Sequence, residues 1–473
     1  MIYKINIFLL IITTSFSFGQ KEYILSGYIT DKKTGETLIG ANIYNTSNKQ
    51  GASSNSYGFF SINIPEGQSK IQCSYIGYIT DSIDINIKSD TTYNFILDPL
   101  HSELKEVVLK SQDSNINSIE GSIVNLPIKQ IKNIPALLGE KDVLKSIQLL
   151  PGVQSGSEGT SGFYVRGGGP DQNLILLDGV NIYHASHLLG FFSVFNDDAI
   201  KNVNLIKGGF PARFGGRLSS ILEIDMKDGN MKDWEVEGGL GIMSGKITVQ
   251  GPLKKDKASI LISGRRTWID LLKGPITTAL ENKIDFNADG NYHFYDINAK
   301  INYKFSEKDR LYISVYSGQD KFKTSIQEET VTSEEVENSS LSQRFTHQLN
   351  ESTTNFYGNT NFGLAWNNII TSIRWIHVVN NRMFTNTTLL YSQYEFENTI
   401  KTNNTLIENN ELLDSETPST NIINENSNYL YRSGIEDIGI KIDIDYMLNS
   451  KHSLKFGGSY IKQNFFPGYM DFF

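Results

Sequence analysis

The stretch Tyr295-Asp-Ile-Asn-Ala-Lys-Ile-Asn-Tyr-Lys-Phe305 alternates strictly between apolar and polar side chains. The segment Ile438–Tyr446 has the same period, with isoleucines at every second position up to Ile444. Side chains of a β-strand point alternately to its two faces, so both segments predict strands with one apolar and one polar face. Strands of this length are long for a soluble sheet and fit a tilted strand that crosses a membrane.

The connections around these segments are of two kinds. Short turns are predicted at Ser306–Asp309, Asn367-Asn368 and Asn449–His452, and long polar loops at about 321–355 and 381–436. Short turns on one side of a sheet and long loops on the other are typical of outer-membrane β-barrels. A soluble secreted β-sandwich with long loops is the competing interpretation.

Composition agrees with a β protein and excludes several function classes. The 473 residues include 40 Gly, 23 Tyr and 26 Phe, as in glycine- and aromatic-rich β proteins. The net charge of −9 argues against nucleic acid as a partner. Cys73 is the only cysteine, which excludes an intrachain disulfide and a cysteine-based metal cluster. No apolar run reaches the roughly 20 residues of a transmembrane helix, so a membrane location would require a β-barrel.

The N-terminus predicts export. Lys4 precedes the apolar run Ile5–Ile12, and Ser17 and Gly19 are small residues at the positions that signal peptidases read. We therefore expect a signal peptide over residues 1–19. Residues 20–99 contain short strands separated by turn residues, which predicts a small β-sandwich.

Residues 100–121 form a polar linker that contains one β-branched hexamer. Such a segment can pair by strand addition with the sheet edge of a partner, or it can be an edge strand of the preceding sandwich, and its spacing leaves both interpretations open. The hexamer consists of Leu104, Lys105, Glu106, Val107, Val108 and Leu109.

Residues 122–229 predict a compact α+β domain rich in glycine. A helix is expected over Lys141–Leu149, closed by Pro151-Gly152. Strands are expected at Gly162–Arg166, Leu174–Leu177 and Val203–Lys207.

Two sets of motifs resemble known domains. Gly40-Ala-Asn-Ile-Tyr44, Gly58-Phe-Phe60 and Ile76-Gly-Tyr78 resemble the carboxypeptidase-regulatory-like, transthyretin-type domain, which carries no catalytic residues. Asp142–Val153, Tyr164–Gly168, Asp171–Gly179 and Lys207–Ser219 resemble, in this order, the plug domain of TonB-dependent outer-membrane receptors. The resemblance implies a mainly β protein: a sandwich, an α+β plug at 122–229, and the first part of an antiparallel transmembrane β-barrel at 230–473.

The resemblance also implies a function. The hexamer at Leu104–Leu109 is then expected to be the TonB box, and the partners are TonB, outer-membrane lipid and an imported ligand, with a surface lipoprotein left open. The location is the outer membrane of a Gram-negative bacterium. The ligand classes of the family include iron chelates, vitamins, oligosaccharides and peptides. No catalytic constellation is found, so neither an enzyme nor a cofactor is expected; the alternative is a secreted or cell-surface β-rich binding or adhesion protein.

Six plug residues are candidates for structural or ligand-facing roles. The arginines are expected to hold the plug to acidic residues of the barrel wall, and the histidines to lie in a plug loop that faces ligand. These candidates are Arg166, Asp178, His184, His187, Arg213 and Arg217.

No metal site is expected. A calcium-loop spacing is present, but a strand rather than a helix follows it, and a polar loop that runs into lumen-facing strand positions is the alternative. The residues of this weak candidate are Asp285, Asn287, Asp289 and Asp296.

The number of predicted strands is small for such a barrel. We count about eight between Trp234 and Phe466, whereas a lumen that holds a plug needs about 22. The sequence therefore leads us to expect a truncated chain or gene fragment of a receptor.

Overall fold

The structure of the protein is a computed structural model. It describes residues 21–100, 123–134, 140–156, 160–268, 270–271, 290–336, 350–411, 419–449 and 452–472. The predicted signal peptide, the hexamer at Leu104–Leu109 and the candidate calcium ligands Asp285, Asn287 and Asp289 lie outside these residues. Within them, no helix is both long enough and apolar enough to cross a membrane.

Residues 21–100 form a β-sandwich of two four-stranded sheets, as predicted. Its apolar core contains Leu25, Ile43, Phe60 and Phe95, all almost fully buried. The first sheet consists of β1 (Glu22–Asp31), β4 (Phe59–Pro65), β7 (Thr91–Thr92) and β8 (Phe95–Leu97), and the second of β2 (Asn42–Asn45), β3 (Gly51–Ser53), β5 (Gly67–Ser74) and β6 (Asp81–Ile87).

The central domain, residues 123–229, is an α+β unit. Its five-stranded sheet has β9 (Ile123–Pro127) at one edge, followed by β16 (Ile200–Ile206), β17 (Ser220–Met226), β12 (Asn173–Leu177) and β13 (Val180–Asn181). The remaining elements are the helices α1 (Ile128–Ile131) and α2 (Val143–Gln148), the 3₁₀ turns Pro170–Gln172 and Leu188–Gly190, and the strands β10 (Val153–Ser155), β11 (Phe163–Val165), β14 (Ser186–His187) and β15 (Phe192–Ser193).

Helix α2 confirms the predicted helix and is shorter by two residues at the N-terminus and by one at the C-terminus. Asp142 caps its N-terminus, because the carboxylate accepts from the backbone N–H groups of Leu144 at 2.8 Å and Lys145 at 3.1 Å. The second carboxylate oxygen accepts from the Ser193 backbone N–H at 2.7 Å, which ties the helix to β15. One carboxylate thus orders two parts of the central domain.

The rest of the chain forms one antiparallel sheet of nine strands in sequence order. Among the described residues β18 and β26 are its two edges and do not pair, so the sheet is open; the predicted count was about eight. The strands are β18 (Glu235–Leu240), β19 (Ser244–Lys254), β20 (Ala258–Thr267), β21 (Asn291–Lys304), β22 (Asp309–Val336), β23 (Asn350–Asn380), β24 (Met383–Glu411), β25 (Ser419–Asn449) and β26 (His452–Phe472).

The predicted long loops were wrong over most of their length. Strands β22 to β25 continue through them as regular hairpins, and β23 alone has 31 residues, about three times what is needed to cross hydrocarbon. The turn predicted at Asn367-Asn368 lies inside β23. Asparagine favours turns when its amide bonds locally, but here the Asn368 side chain donates to the backbone oxygen of His184 at 2.8 Å. The predicted turns after β21 and β25 are confirmed.

The faces of the large sheet are inverted relative to a soluble protein. In β21, Asp296 and Asn302 are 0% exposed and Lys300 is 3% exposed, whereas Ile297 is 50% and Ile301 is 37% exposed. The inner face, which the central domain covers, is therefore polar, and the outer face is apolar. One row of directly paired outer-face residues is Ile260, Ile301, Ile313, Ile373, Leu389, Ile440 and Tyr460. A soluble β-sandwich would hide such a row, so the inversion fits a sheet that contacts lipid.

The apolar outer row predicts a position-dependent cost of charge. We expect Leu389→Arg to destabilise the folded protein in lipid vesicles by about 2–4 kcal/mol, because the guanidinium would lie in hydrocarbon. Asn403→Arg, an exposed position on the same outer face of β24 but farther from the short turns, is the matched control and should cost much less. Equal effects of the two changes on the free energy of unfolding in urea would contradict the assignment of the outer face to lipid.

Candidate functional site

The central domain is held against the inner face of the sheet by buried ionic contacts. The first is made by His187, which strand β14 places between two strands of the sheet. Its Nδ1 lies 2.6 Å from the Asp320 carboxylate and its Nε2 lies 2.8 Å from that of Asp296. The ring stacks on Phe294 with centroids 4.1 Å apart. Both ring nitrogens can donate only in the imidazolium, so this geometry favours the charged form.

The charge of His187 depends on its carboxylate neighbours. Burial by itself lowers the pKa of the imidazole, but the two aspartates outweigh burial and raise the pKa from 6.5 to about 9. The side chain is 1% exposed. An imidazolium buried between two carboxylates is therefore the expected state at neutral pH.

Arg265 of β20 connects the same cluster to the central domain. Its Nε and Nη2 donate to Oδ2 of Asp296 at 2.8 and 2.6 Å. Nη2 also donates to the backbone oxygen of Ser193 at 2.8 Å, and Nη1 lies 3.4 Å from Glu140. The guanidinium is almost fully buried and has acceptors from both units, which offsets the cost of burying its charge.

A second cluster surrounds the turn between β12 and β13. Asp178 and Gly179 both have positive φ, 46° and 78°, as a two-residue Asp-Gly hairpin turn requires. The backbone oxygen of Asp178 accepts from Arg374 at 2.7 Å, and that of Gly179 accepts from Lys441 at 2.9 Å. A Cβ on residue 179 would lie 3.0 Å from the Arg374 guanidinium, so glycine also allows the close approach.

Lys300 of β21 lies at the centre of this second cluster. Its Nζ is 3.2 Å from the Asp178 carboxylate and 3.0 Å from that of Asp228, and it donates to the backbone oxygen of Met226 at 2.9 Å. Asp228 also pairs with Lys201 at 2.7 Å. Removing one partner from such a group leaves a buried charge uncompensated, at a cost of about 3–5 kcal/mol.

Apolar packing supplements these ionic contacts. Tyr316, Ile370 and Leu390 of the sheet belong to the same buried cluster as the core of the central domain, which includes Val203 and Leu222. The two units therefore share part of one core and fold against each other.

The expected contact of the arginines with acidic residues of the barrel wall stays a prediction. Arg213 pairs with Glu223 of the central domain at 3.1 Å, and Arg217 donates to the backbone oxygen of its neighbour Gly216 at 2.8 Å. Arg166 has an exposed side chain and a positive φ of 48°. Among the described residues none of the three forms an ion pair with the sheet, although Arg213 lies within electrostatic range of Asp443 and Asp445 of β25.

The predicted histidines and Asp178 do lie at the interface. His184 packs edge-on against Trp366, with ring centroids 5.4 Å apart, and lies 5.9 Å from the ring of Tyr394. His184 and His187 bind different partners and do not converge on a metal. Among the described residues no group of three or more His, Cys, Asp or Glu could hold a metal ion. Asp296 faces inward from a strand and is engaged by His187 and Arg265, as the alternative to the calcium interpretation expected.

Sequence reasoning missed the cations that matter most at this interface. Lys300, Arg374 and Arg265 are inward-facing residues of the sheet, whereas we had placed the cations on the central domain. The polar positions of Tyr295–Phe305 include Lys300, so period two alone could have identified it as a residue of the inner face.

Aromatic rings line the inner face beyond the His184 contact, on the side away from the short turns. Directly paired residues share a face, and every second row points inward. The rings of Phe322 and Phe362 are 6.3 Å apart and those of Phe396 and Tyr431 are 6.2 Å apart. Three successive inward rows, which we call the aromatic band, are Asp320, Trp366, Phe396 and Ser433; Phe322, Leu364, Asn398 and Tyr431; and Thr324, Phe362, Ile400 and Tyr429.

The aromatic band contains unpaired polar atoms but no cation. Trp366 is 5% exposed, and its Nε1 has no hydrogen-bond partner among the described residues. The same is true of Oδ1 of Asn398 and, beside the band, of Nε2 of His184. None of the twelve residues of the band is a lysine or arginine. The surface thus offers rings, amides and hydroxyls next to the central domain.

Two protein families match the chain. Residues 25–109 match the CarboxypepD_reg-like domain, and residues 116–220 match the TonB-dependent receptor plug domain. The central domain is a TonB-dependent receptor plug. We refer to the central domain below as the plug.

Individual relatives are distant. TonB-dependent receptor P3 from Formosa agariphila is 26% identical over 168 residues, which are 34% of this chain and only 16% of that protein. The siderophore receptor PirA from Acinetobacter baumannii aligns with 10% identity and a TM-score of 0.34. The alignment covers 73% of this chain and 70% of the PirA chain. The outer membrane transporter YddB from Escherichia coli aligns with 9% identity and a TM-score of 0.32. The alignment covers 73% of this chain and 58% of the YddB chain.

The His187 cluster predicts a pH-dependent attachment of the plug. Because the folded pKa of about 9 lies above the ordinary value of 6.5, this contribution to stability is complete below pH 6.5 and is lost as the pH rises through about 9. We expect His187→Gln to remove this part of the pH dependence of the urea midpoint. Identical pH profiles for the variant and the unmodified protein would show that His187 is not charged in the folded state.

Proposed function

We propose that this chain acts in energy-coupled import of a scarce or bulky ligand across the outer membrane of a Gram-negative bacterium. The observation that carries the proposal is the inverted sheet: an apolar outer face suited to lipid and a polar inner face occupied by a plug. The family matches support it, because TonB-dependent receptors are outer-membrane proteins that combine these parts. The alternative, a secreted or cell-surface binding protein, is less favoured because its exposed face would be polar.

TonB supplies the energy, and Leu104–Leu109 is the segment that TonB binds. This hexamer ends the first family match, at residue 109, and precedes the second, at residue 116. Strand addition would use several main-chain hydrogen bonds loaded together, which resist a pull better than one side-chain contact. In the described part of the chain, the first plug strand after the hexamer is β9, an edge strand that pairs only with β16. A pull on the hexamer would therefore reach the sheet of the plug at an edge strand.

The ligand enters on the side of the long hairpins and rests on the aromatic band above the plug. Rings bind the flat faces of sugars, macrocycles and aromatic groups, and the unpaired atoms of Trp366, His184 and Asn398 can bond to polar groups of the ligand. Since the band has no cation, it favours an uncharged ligand such as an oligosaccharide over an anionic iron chelate. A surface lipoprotein that covers this side is compatible with the proposal.

The TonB-box assignment is tested by removing one main-chain donor. We expect Val107→Pro to abolish uptake while ligand binding stays intact, because proline cannot donate a hydrogen bond to the added strand. Ser114→Pro, in the same linker but outside the hexamer, is the control and should transport normally. Uptake that survives Val107→Pro would rule out this hexamer as the segment that TonB engages.

The ligand position is tested on the aromatic band. One representative each of neutral oligosaccharides, peptides, corrinoids and ferric chelates is first screened for uptake. Phe322→Ala should then weaken binding of the imported compound by about tenfold, because one stacking contact is lost. Tyr357→Ala removes an exposed ring from the outer face of β23 and should leave the affinity unchanged. Equal affinities of the two variants would place the ligand elsewhere.

A further inference from the structure

The N-terminal sandwich is bound to the plug as well as to the sheet. Its Glu36 carboxylate accepts from the backbone N–H groups of Asp228 at 2.6 Å and Gly229 at 3.2 Å. These residues begin the link between the last plug strand and the first strand of the sheet. Gly229 has a φ of 88°, and a Cβ there would lie 2.8 Å from the backbone oxygen of Ile260, so the link runs tightly between sandwich and sheet.

Charged groups continue this contact through all three units. Lys201 of the plug donates to the Thr37 hydroxyl of the sandwich at 3.3 Å and pairs with Asp228, which also binds Lys300 of the sheet. The cavity at this junction is lined by residues from each unit, including Tyr57, Asp228 and Lys300. A ligand that moved between plug and sheet along these strands would meet the sandwich at this point.

An apolar contact fixes the sandwich to the sheet itself. Phe59 stacks on Phe384 with ring centroids 5.2 Å apart, and Tyr28 lies under the Arg310 guanidinium at 4.4 Å. The buried cluster consists of Tyr28, Phe59, Tyr312, Ile376, Val378 and Phe384, with Tyr57 packed against it. Aromatic burial of this kind is typical of an interface that is stable rather than transient.

Polar contacts surround this cluster at the turn between β23 and β24. The Thr92 hydroxyl lies 3.2 Å from Oδ1 of Asn381, and the Ser61 hydroxyl donates to the backbone oxygen of Asn381 at 3.2 Å. Arg382 lies 3.3 Å from the Asp90 carboxylate. The sandwich therefore sits at the short-turn end of the sheet, opposite the aromatic band.

We propose that the CarboxypepD_reg-like domain is a latch: docked, it locks the plug to the sheet at the short-turn end, and it must undock before the plug can open a path. The hexamer Leu104–Leu109 lies in the sequence between the last sandwich strand and β9. A pulling force on the hexamer would therefore act on the sandwich and on the plug at the same time. The claim that the domain must undock before transport, called the transport half below, rests on the proposed function. The claim that the docked domain restrains the plug, called the docking half, does not.

The transport half is tested by fastening the latch. In Thr92→Cys/Asn381→Cys the new thiols face each other across the interface, and the only other cysteine, Cys73, is buried. With the screened ligand, cells should lose uptake after oxidation and regain it after reduction, while binding at the cell surface persists. Each single-cysteine variant is the control and should transport under both conditions. Uptake by the oxidised double variant at the rate of the single variants would overturn the latch.

The docking half is tested without transport, by hydrogen exchange in lipid vesicles. Glu36→Ala removes the acceptor of the Asp228 and Gly229 amides, so both should exchange faster, together with β17 next to them. Glu66→Ala, an exposed acid of the same sandwich, is the matched control and should change nothing. Unchanged protection in Glu36→Ala would overturn the latch. If neither the unmodified protein nor any variant imports ligand, both the proposed function and the transport half fail. The hydrogen-exchange result still decides whether the sandwich restrains the plug.

Discussion

The inner face of the large sheet buries charges, and a buried charge is tolerated only when it is paired. Lys300 is the clearest case, since its ammonium is enclosed by Asp178 and Asp228, both supplied by the plug. His187 shows the reverse arrangement, a plug cation between two aspartates of the sheet. Neither unit satisfies its polar groups alone, so plug and sheet require each other.

This interface is compatible with the plug movement that the proposed function requires. Hydrogen bonds and ion pairs can be replaced by water at modest net cost, because water offers the same donors and acceptors. The outer face has no such freedom: its isoleucines are stable only against lipid or another apolar surface. The sheet therefore has a permanent apolar contact on its outer face and, on its inner face, a polar contact with the plug that water can replace. Tyr316, Ile370 and Leu390 add a smaller apolar contact that keeps the plug seated at rest.

Local patterns in the sequence predicted the strand segments near the plug well and the rest less well. Alternation in Tyr295–Phe305 predicted both the strand and its two faces, and the helix predicted over Lys141–Leu149 is observed at Val143–Gln148. The extensions of β22 to β25 were missed because they are rich in Asn, Thr and Glu and do not alternate in polarity. When a hairpin projects beyond hydrocarbon, both faces meet water, so nothing imposes a polar and an apolar side.

Contacts between units were the least predictable part. The docking of Phe59 on Phe384 joins residues more than 300 positions apart, and nothing local marks either ring as an interface residue. For the plug arginines, the sequence shows the charge but not the direction in which a glycine-rich turn carries it, so the pairing of Arg213 with Glu223 of the plug could not be predicted. Asp178-Gly179 is a dipeptide that favours a turn, but its insertion between Arg374 and Lys441 depends on strands 196 and 262 residues further along the chain.

The orientation of the sheet can be measured directly. Single nitroxide labels at Ile297, Asn298, Ile301 and Asn302 would be compared in lipid vesicles for collision with oxygen, which concentrates in hydrocarbon, and with a water-soluble nickel complex. We expect high oxygen access at Ile297 and Ile301 and low access to both reagents at Asn298 and Asn302, which the plug covers. Equal oxygen access along the strand, or nickel access at the isoleucines, would contradict an inverted sheet in lipid.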